Sequence, residues 1–211
     1  RRGRKLVAKL EPAALPMCLF DKRVKTAINF DKVTAGLEER GGYLTFRPGV
    51  LPSTYFHRRP ERAREIALFL DPLFPSAGDV LRAVLARGDT VTVRPVLFSD
   101  PAEEPQGPEE RMAREEALRW LVLDSLYRKA FRPYLQHYAA EPSSSFWIVP
   151  LKEQGVDLDR FMADVKAADG MLRRHWELMR ELDIRTPVSL LLGNRSLVRV
   201  KTPQELEQAL R

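Results

Sequence analysis

The chain has 211 residues, of which 44% are hydrophobic and 30% charged, and its formal net charge is +6. That length supports one sizeable core, or one domain with an extension, and the composition is that of an ordinary globular protein. No run approaches the roughly 18 consecutive apolar residues of a membrane helix; the longest apolar runs, such as Ala67-Leu68-Phe69-Leu70, suit buried strands.

The excess positive charge is spread along the chain, with small clusters at Arg1-Arg2, Arg58-Arg59 and Arg173-Arg174. This reads as solvated basic surface, because a nucleic-acid partner would need the cations on one face. The sequence starts at Arg1 without a charged-then-apolar leader; a trimmed chain or a fragment starts in the same way, so nothing about compartment follows. A single cysteine, Cys18, cannot form an intramolecular disulfide. Its neighbours Leu15, Met17, Leu19 and Phe20 make it an expected buried, slowly reacting thiol. His57, His137 and His175 are far apart and show no zinc-ligand spacing, so no metal or cofactor is expected.

Residues 1–60 read as an irregular N-terminal extension interrupted by Pro12, Pro16, Pro48, Pro52 and Pro60, with a turn at Gly41-Gly42. Within it, Asp31 to Arg40 predicts a short helix capped by Asp31, with Val33 and Leu37 on one face, and Tyr43 to Phe46 predicts a strand.

Residues 61–211 have a clearer grammar. Ile66 to Leu70 reads as a buried strand ending at Asp71-Pro72. Ser76-Ala77-Gly78-Asp79 resembles a capping box, and the helix after it places Val80, Leu81, Val84 and Leu85 on one face and ends at Gly88. Thr90 to Phe98, rich in Val and Thr, reads as a second strand. A strand-helix-strand unit implies a parallel pair joined by a right-handed crossover.

Ser99 to Glu110 is an expected exposed loop. An apolar stripe from Ala113 through Trp120 to Tyr134 then predicts helix, broken at Glu141-Pro142-Ser143-Ser144-Ser145. A second helical stretch covers Leu158 to Leu182, with a break at Gly170. Val188 to Leu192 and Ser196 to Val200 form an expected hairpin around Gly193-Asn194. Thr202-Pro203-Gln204-Glu205 carries the start signals of a closing helix. The order is strand, helix, strand, helical insertion at about 109–183, hairpin, helix. This predicts an α/β domain with one sheet and helices on both faces.

That element order is the thioredoxin fold, and two segments carry a closer resemblance. Ile66-Ala67-Leu68-Phe69-Leu70-Asp71-Pro72-Leu73-Phe74-Pro75-Ser76-Ala77 resembles the first strand and active-site turn of the bacterial periplasmic disulfide isomerase and chaperone proteins. Leu182-Asp183-Ile184-Arg185-Thr186-Pro187-Val188 resembles their loop before a cis-proline. The resemblance covers about 61–211. It implies a thioredoxin-like fold, a periplasmic location and a turn with two active-site cysteines, whose positions here hold Phe74 and Ala77 around the retained Pro75-Ser76.

Thiol–disulfide exchange needs an attacking thiolate and a resolving thiol. Phe74 and Ala77 supply neither, so dithiol catalysis is excluded for the isolated chain. What the resemblance leaves is a binding surface at Phe74, Pro75, Ser76, Ala77, Thr186 and Pro187, where the family's loop pairs with an extended polypeptide. Phe74 would either fill the former substrate space or project into it. The expected partner is a protein or polypeptide, and the expected role is a chaperone or an accessory subunit of an envelope assembly of secretion or conjugation type. Two alternatives stand beside this reading. One is another chemistry on the same fold using Ser76 at a helix N-terminus or a separate pocket. The other is a basic nucleic-acid-associated module. The sequence does not fix the oligomeric state.

Overall fold

The structure is a computed structural model that describes residues 8–10, 12, 14–47, 50–87, 91–142 and 147–210. Gly88, Thr90, the Ser143-Ser144-Ser145 tract, Pro48 and the Arg1-Arg2 cluster lie outside the described residues.

The extension is ordered into strands. β1 (Leu19–Phe20), β2 (Leu37–Arg40) and β3 (Tyr43–Phe46) make a three-stranded antiparallel sheet in the order β1-β3-β2, and α1 is a single turn at Asp31–Thr34. The helix expected over Asp31 to Arg40 therefore stops early. Gly41 and Gly42 take positive φ values of 55° and 87°, a turn that folds Leu37–Arg40 back so that Leu37 pairs with Phe46 and Arg40 with Tyr43. Cross-strand pairing and the burial of Leu37 and Leu44 outweigh the weak helical preference of a ten-residue stretch. Cys18 is exposed, not buried. It precedes the edge strand β1, where Phe20 packs on Phe46 at a centroid separation of 5.3 Å and leaves Cys18 outside.

β4 (Ser53–Tyr55), β5 (Ile66–Leu70), β6 (Val91–Pro95), β7 (Val188–Leu192) and β8 (Ser196–Arg199) form the main sheet in the order β4-β8-β7-β5-β6. β5 and β6 are parallel, the arrangement expected of the strand-helix-strand unit, and β7 is antiparallel to β5 and β8. β5 is buried on both faces by simple alternation. Leu68 and Leu70 join one core with α2 (Ala77–Leu85), and Ala67 and Phe69 join the other with Met179, Leu182 and Ile184. The β7–β8 turn has Gly193 and Asn194 at φ 58° and 60°, the left-handed pair of a two-residue hairpin.

The helical insertion comprises α3 (Pro108–Leu126), α4 (Arg128–Ala140), α5 (Ile148–Glu153), α6 (Leu158–Lys166) and α7 (Asp169–Glu181). The long apolar stripe is two helices, not one. Tyr127 leaves the helical region at φ −127°, ψ 43°, its hydroxyl donates to Asp164 Oδ2 at 2.6 Å and its ring packs edge-on against Phe161. The later break falls at Ala167-Ala168, and Gly170 sits in the first turn of α7. The closing helix α8 (Pro203–Ala209) starts as its sequence signals require, with Thr202 Oγ1 accepting from Glu205 N at 3.2 Å.

The extension is tied to the main sheet through β4. β4 pairs with β8, and Leu15 bridges Tyr55. Arg199 on β8 is only 6% exposed. It donates to Leu51 O at 2.7 Å, to Thr54 Oγ1 at 2.9 Å and to Asp183 O at 3.3 Å, and burial holds its pKa below the usual guanidinium range.

Candidate functional site

The turn corresponding to the family's active site runs from the end of β5 to the start of α2. Asp71 N donates to Pro187 O at 2.7 Å, which brings the two segments singled out in the sequence side by side. Asp71 Oδ1 accepts from Leu73 N at 2.9 Å, Phe74 N donates to Asp71 O at 3.1 Å, and Ala77 N donates to Phe74 O at 2.8 Å. Tyr138 on α4 closes the turn from the other side, donating from its hydroxyl to Pro72 O at 2.6 Å. Burial raises the Asp71 carboxyl above the usual carboxylate range, and the Leu73 bond opposes this.

The two positions that the resemblance sets against the family's cysteines are packed rather than open. Ala77 is fully buried, and Phe74 is half-buried against the main core. Gly78 explains why α2 sits so close to α4, since a Cβ there would lie 2.7 Å from Ala139 O. Ser76 precedes the helix at φ −101°, ψ 17°, outside the extended region of a capping serine, and makes no side-chain cap bond. The expected capping box is absent, because Asp79 pairs with Arg82 instead of reaching back.

The cis bond that the resemblance implies at Thr186–Pro187 is not there: that peptide is trans, and the cis bond among the described residues is Leu15–Pro16. The chain reversal that a cis-proline would make is completed upstream, at the end of α7. Asp183 takes φ 51°, Asp183 N donates to Arg180 O, and Ile184 N donates to Met179 O. That is a Schellman cap, with Ile184 and Met179 sharing one hydrophobic cluster. After it, the peptide groups of Arg185 and Thr186 make no backbone hydrogen bond among the described residues before Pro187 O engages Asp71. The Thr186 hydroxyl turns inward, 3.1 Å from Val188 O and 2.8 Å from Ser189 Oγ.

Two recesses flank the turn, and Phe74, Pro75, Ser76, Ala77, Thr186 and Pro187 line neither. The one toward α3 and α4 is about 210 Å³ and is bordered by Leu73, Glu116, Arg119, Tyr134, Tyr138 and Trp147. Its Glu116-centred polar groups are paired with one another, whereas His137 Nε2, also on its wall, is buried without a hydrogen-bond partner among the described residues. The buried Glu116 carboxylate accepts from Trp120 Nε1 at 2.7 Å, Tyr134 Oη at 2.7 Å and Arg119 at 2.6 Å, and the guanidinium lies 4.5 Å from the Trp147 ring centroid. Burial, then the Glu116 charge, pushes the Tyr134 phenol well above its ordinary pKa. This is a closed network that fixes α3 to α4.

The second recess, about 280 Å³, is bordered by Asp71, Leu73, Leu97, Phe98, Glu103 and Glu109. Phe98, just beyond β6, is 56% exposed, and past it lies a third recess of about 470 Å³ that includes Trp176, Arg180, Asp183, Ile184 and Arg185. Phe98 and Leu97 border both, so the two recesses adjoin at these side chains and make a groove whose far half is lined by Asp183, Ile184 and Arg185. Sequence reasoning missed Asp71, Phe98 and Arg185 as surface-forming residues. The available signal was Phe98 itself, an aromatic between a Val-rich strand and a polar Pro-rich loop.

Among the described residues no cluster of His, Cys, Asp and Glu has metal-holding geometry, and no helix is long and apolar enough to cross a membrane. His175 is buried beside Phe69, with Nε2 2.5 Å from Pro95 O, and burial lowers its pKa to about 4. It is neutral at physiological pH and donates to that carbonyl.

No protein-family model matches the chain, and no curated protein matches it in sequence. Its fold has counterparts among solved structures. An oxidized DsbA1 mutant aligns with a TM-score of 0.50 at 10% identity, over 75% of this chain and 88% of that one. The oxidoreductase NmDsbA1 from N. meningitidis aligns with a TM-score of 0.50 at 12% identity, over 78% of this chain and 92% of that one. At these identities the likeness is one of fold. The chain has a DsbA-like thioredoxin fold with a helical insertion, and with Cys18 as its one cysteine it lacks the DsbA-type catalytic disulfide.

Proposed function

We propose that this protein is a redox-inactive, thioredoxin-like polypeptide-binding protein, acting as a chaperone or as an accessory subunit of an envelope assembly of secretion or conjugation type. The observation that carries the reading is the pairing of a DsbA-like fold without its thiols with an open groove around exposed Phe98. Loss of the cysteines removes exchange chemistry and leaves recognition. The free peptide groups of Arg185 and Thr186 and the aromatic beside them are the kinds of contact that hold an extended chain. In this reading the binding surface is centred on Phe98, next to the Phe74–Ala77 turn and the Thr186-Pro187 loop rather than on them. A periplasmic location follows from the family resemblance alone.

The alternatives gain no support. Ser76 lines neither recess beside the turn, and the imidazole of His175 is occupied with Pro95. Of the clustered cations, Arg59 is committed to Asn194 and Glu181. The reading is tested by placing a photo-crosslinking amino acid at Phe98 and, as a control, at Met162, which is 48% exposed on α6. In cells of the source organism, discrete polypeptide adducts are expected from position 98 and not from 162. Absence of adducts at 98, or the same adducts at both, overturns it.

A further inference from the structure

The groove around Phe98 carries opposite charge at its two ends. In the recess next to the turn, the carboxylates of Asp71, Glu103 and Glu109 stand over an apolar floor that includes Leu73, Leu97 and Pro101. Two other carboxylates there are already satisfied. Glu110 accepts from Ser99 Oγ at 2.6 Å and Gln106 N at 2.5 Å, and Asp100 accepts from Ala102 N at 2.9 Å. The one cation bordering this recess, Arg114, is turned to Glu103 O at 3.2 Å and to Asp169 at 3.7 Å. Glu103 and Glu109 make no side-chain bond among the described residues, and Asp71 has only the Leu73 amide. The recess therefore holds excess negative charge over apolar ground, with one carboxylate partly removed from water.

The far recess is the reverse. Arg180 is exposed and has no ion-pair partner among the described residues, while Arg185 pairs with Asp183. The Trp176 indole N–H is shielded from solvent and lacks an acceptor. Arg180 and the Trp176 N–H are donors without an acceptor among the described residues. Where the two recesses adjoin stand Leu97 and the exposed ring of Phe98, and Arg185 lines the far one.

Building on the polypeptide-binding reading, we infer that this groove selects an extended polypeptide by charge pattern. A Lys or Arg enters the Asp71 recess, an apolar residue lies on Phe98, and an acidic side chain meets Arg180 and Arg185. The aliphatic stem of a basic side chain suits the apolar floor, and its head suits the carboxylate rim. The ring of Phe98 adds a cation–π surface at the boundary. Uncharged apolar segments fit the middle and neither end, so the pattern discriminates by what it leaves unpaired as well as by what it holds.

The test is selection of a random heptapeptide display library against the intact protein, repeated on Phe98→Ser and on the double charge reversal Glu103→Lys, Glu109→Lys. Wild type is expected to enrich peptides with Lys or Arg next to an apolar residue and with an acidic residue beyond it. Phe98→Ser should abolish the enrichment, and the charge reversal should weaken a selected basic peptide about tenfold and enrich acidic ones instead. Bound basic peptide should also lower the Asp71 carboxyl pKa measured by NMR, because a nearby cation favours the charged form. Enrichment that depends on Phe98 but ignores charge overturns this inference and leaves polypeptide binding standing. No enrichment at all, or enrichment that survives Phe98→Ser, overturns both.

Discussion

His175 ties the pH dependence of stability to the element that carries Phe98. It sits on α7, stacked on Phe69, and its Nε2 holds Pro95 O at the exit of β6, three residues before Phe98. Burial lowers its pKa from 6.5 to about 4, mainly by desolvation, with the Pro95 bond opposing. The unfolded chain therefore takes up a proton on this residue near pH 6.5, whereas the folded chain resists until about pH 4. In that window the unfolded state binds more protons, so stability falls as pH falls. The contribution is fully present above about pH 6.5 and gone below about pH 4; at 1.36 kcal/mol per unit the difference amounts to about 3 kcal/mol. Asp71 works with the opposite sign, since its raised carboxyl favours the folded state at low pH. The carboxylates with lowered pKa, Asp21, Glu39 and Glu110, act in the same direction as His175. The comparison must therefore be with a variant. Urea unfolding of wild type and His175→Gln, measured at several pH values from 7.5 to 4, should show the wild type losing about 3 kcal/mol more than the variant. Parallel stability curves would refute the placement of a neutral His175 in the core.

Other outcomes follow from the packing of the turn and the extension. Phe74→Asp should destabilise the protein by about 2–3 kcal/mol in urea titrations, because Phe74 packs on the main core and a carboxylate there would lose apolar contact and lack a partner; unchanged stability would mean that the ring projects into solvent. Gly78→Ala should cost about 1–3 kcal/mol despite its better helix propensity, since the new methyl meets the Ala139 carbonyl. Cys18 should be alkylated in the native protein at the rate of the unfolded chain, as its exposure requires; protection would place it inside. The protein should not accelerate insulin reduction or reshuffle scrambled disulfides, and any such activity that persists in Cys18→Ser would contradict the absence of exchange chemistry.

The sheet was legible because its strands announce themselves locally. Ile66–Leu70 is a short apolar run stopped by Asp-Pro, and Gly193-Asn194 marks a hairpin whose φ values confirm the turn. The insertion was legible as helix but not in its breaks. Tyr127 interrupts the stripe through contacts with Asp164 and Phe161, more than thirty residues away, which no local window contains. Leu37–Arg40 was read as helix because its partner Tyr43–Phe46 decides its state. Ser76 had the local signature of a cap, yet the approach of α2 to α4 at Gly78 and the pairing of Asp79 with Arg82 left it without that bond. The turn and the proline loop were identified as neighbours, and the Asp71–Pro187 bond joins them. The groove beside them was not legible, since its walls come from the turn, the β6 exit, the first turn of α3 and the end of α7.

The extension bears on the groove as well as on stability. Arg199 joins Leu51 and Thr54 of the extension to the carbonyl of Asp183, and Asp183 in turn pairs with Arg185. Arg59 does the same from the other side, bonding Asn194 in the hairpin turn and Glu181 at the end of α7. Both links converge on the helix end that carries Arg180 and Arg185. The short charged loop between α7 and β7 would otherwise sample many conformations, and each fixed backbone residue costs roughly 1–2 kcal/mol of conformational entropy. The buried guanidinium of Arg199, bonded to two separate segments at 51–54 and at Asp183, supplies part of that order before any partner arrives. Loss of the arginine would leave those carbonyls unpaired and the loop loosened, so the far end of the groove depends on residues of the extension that never line it.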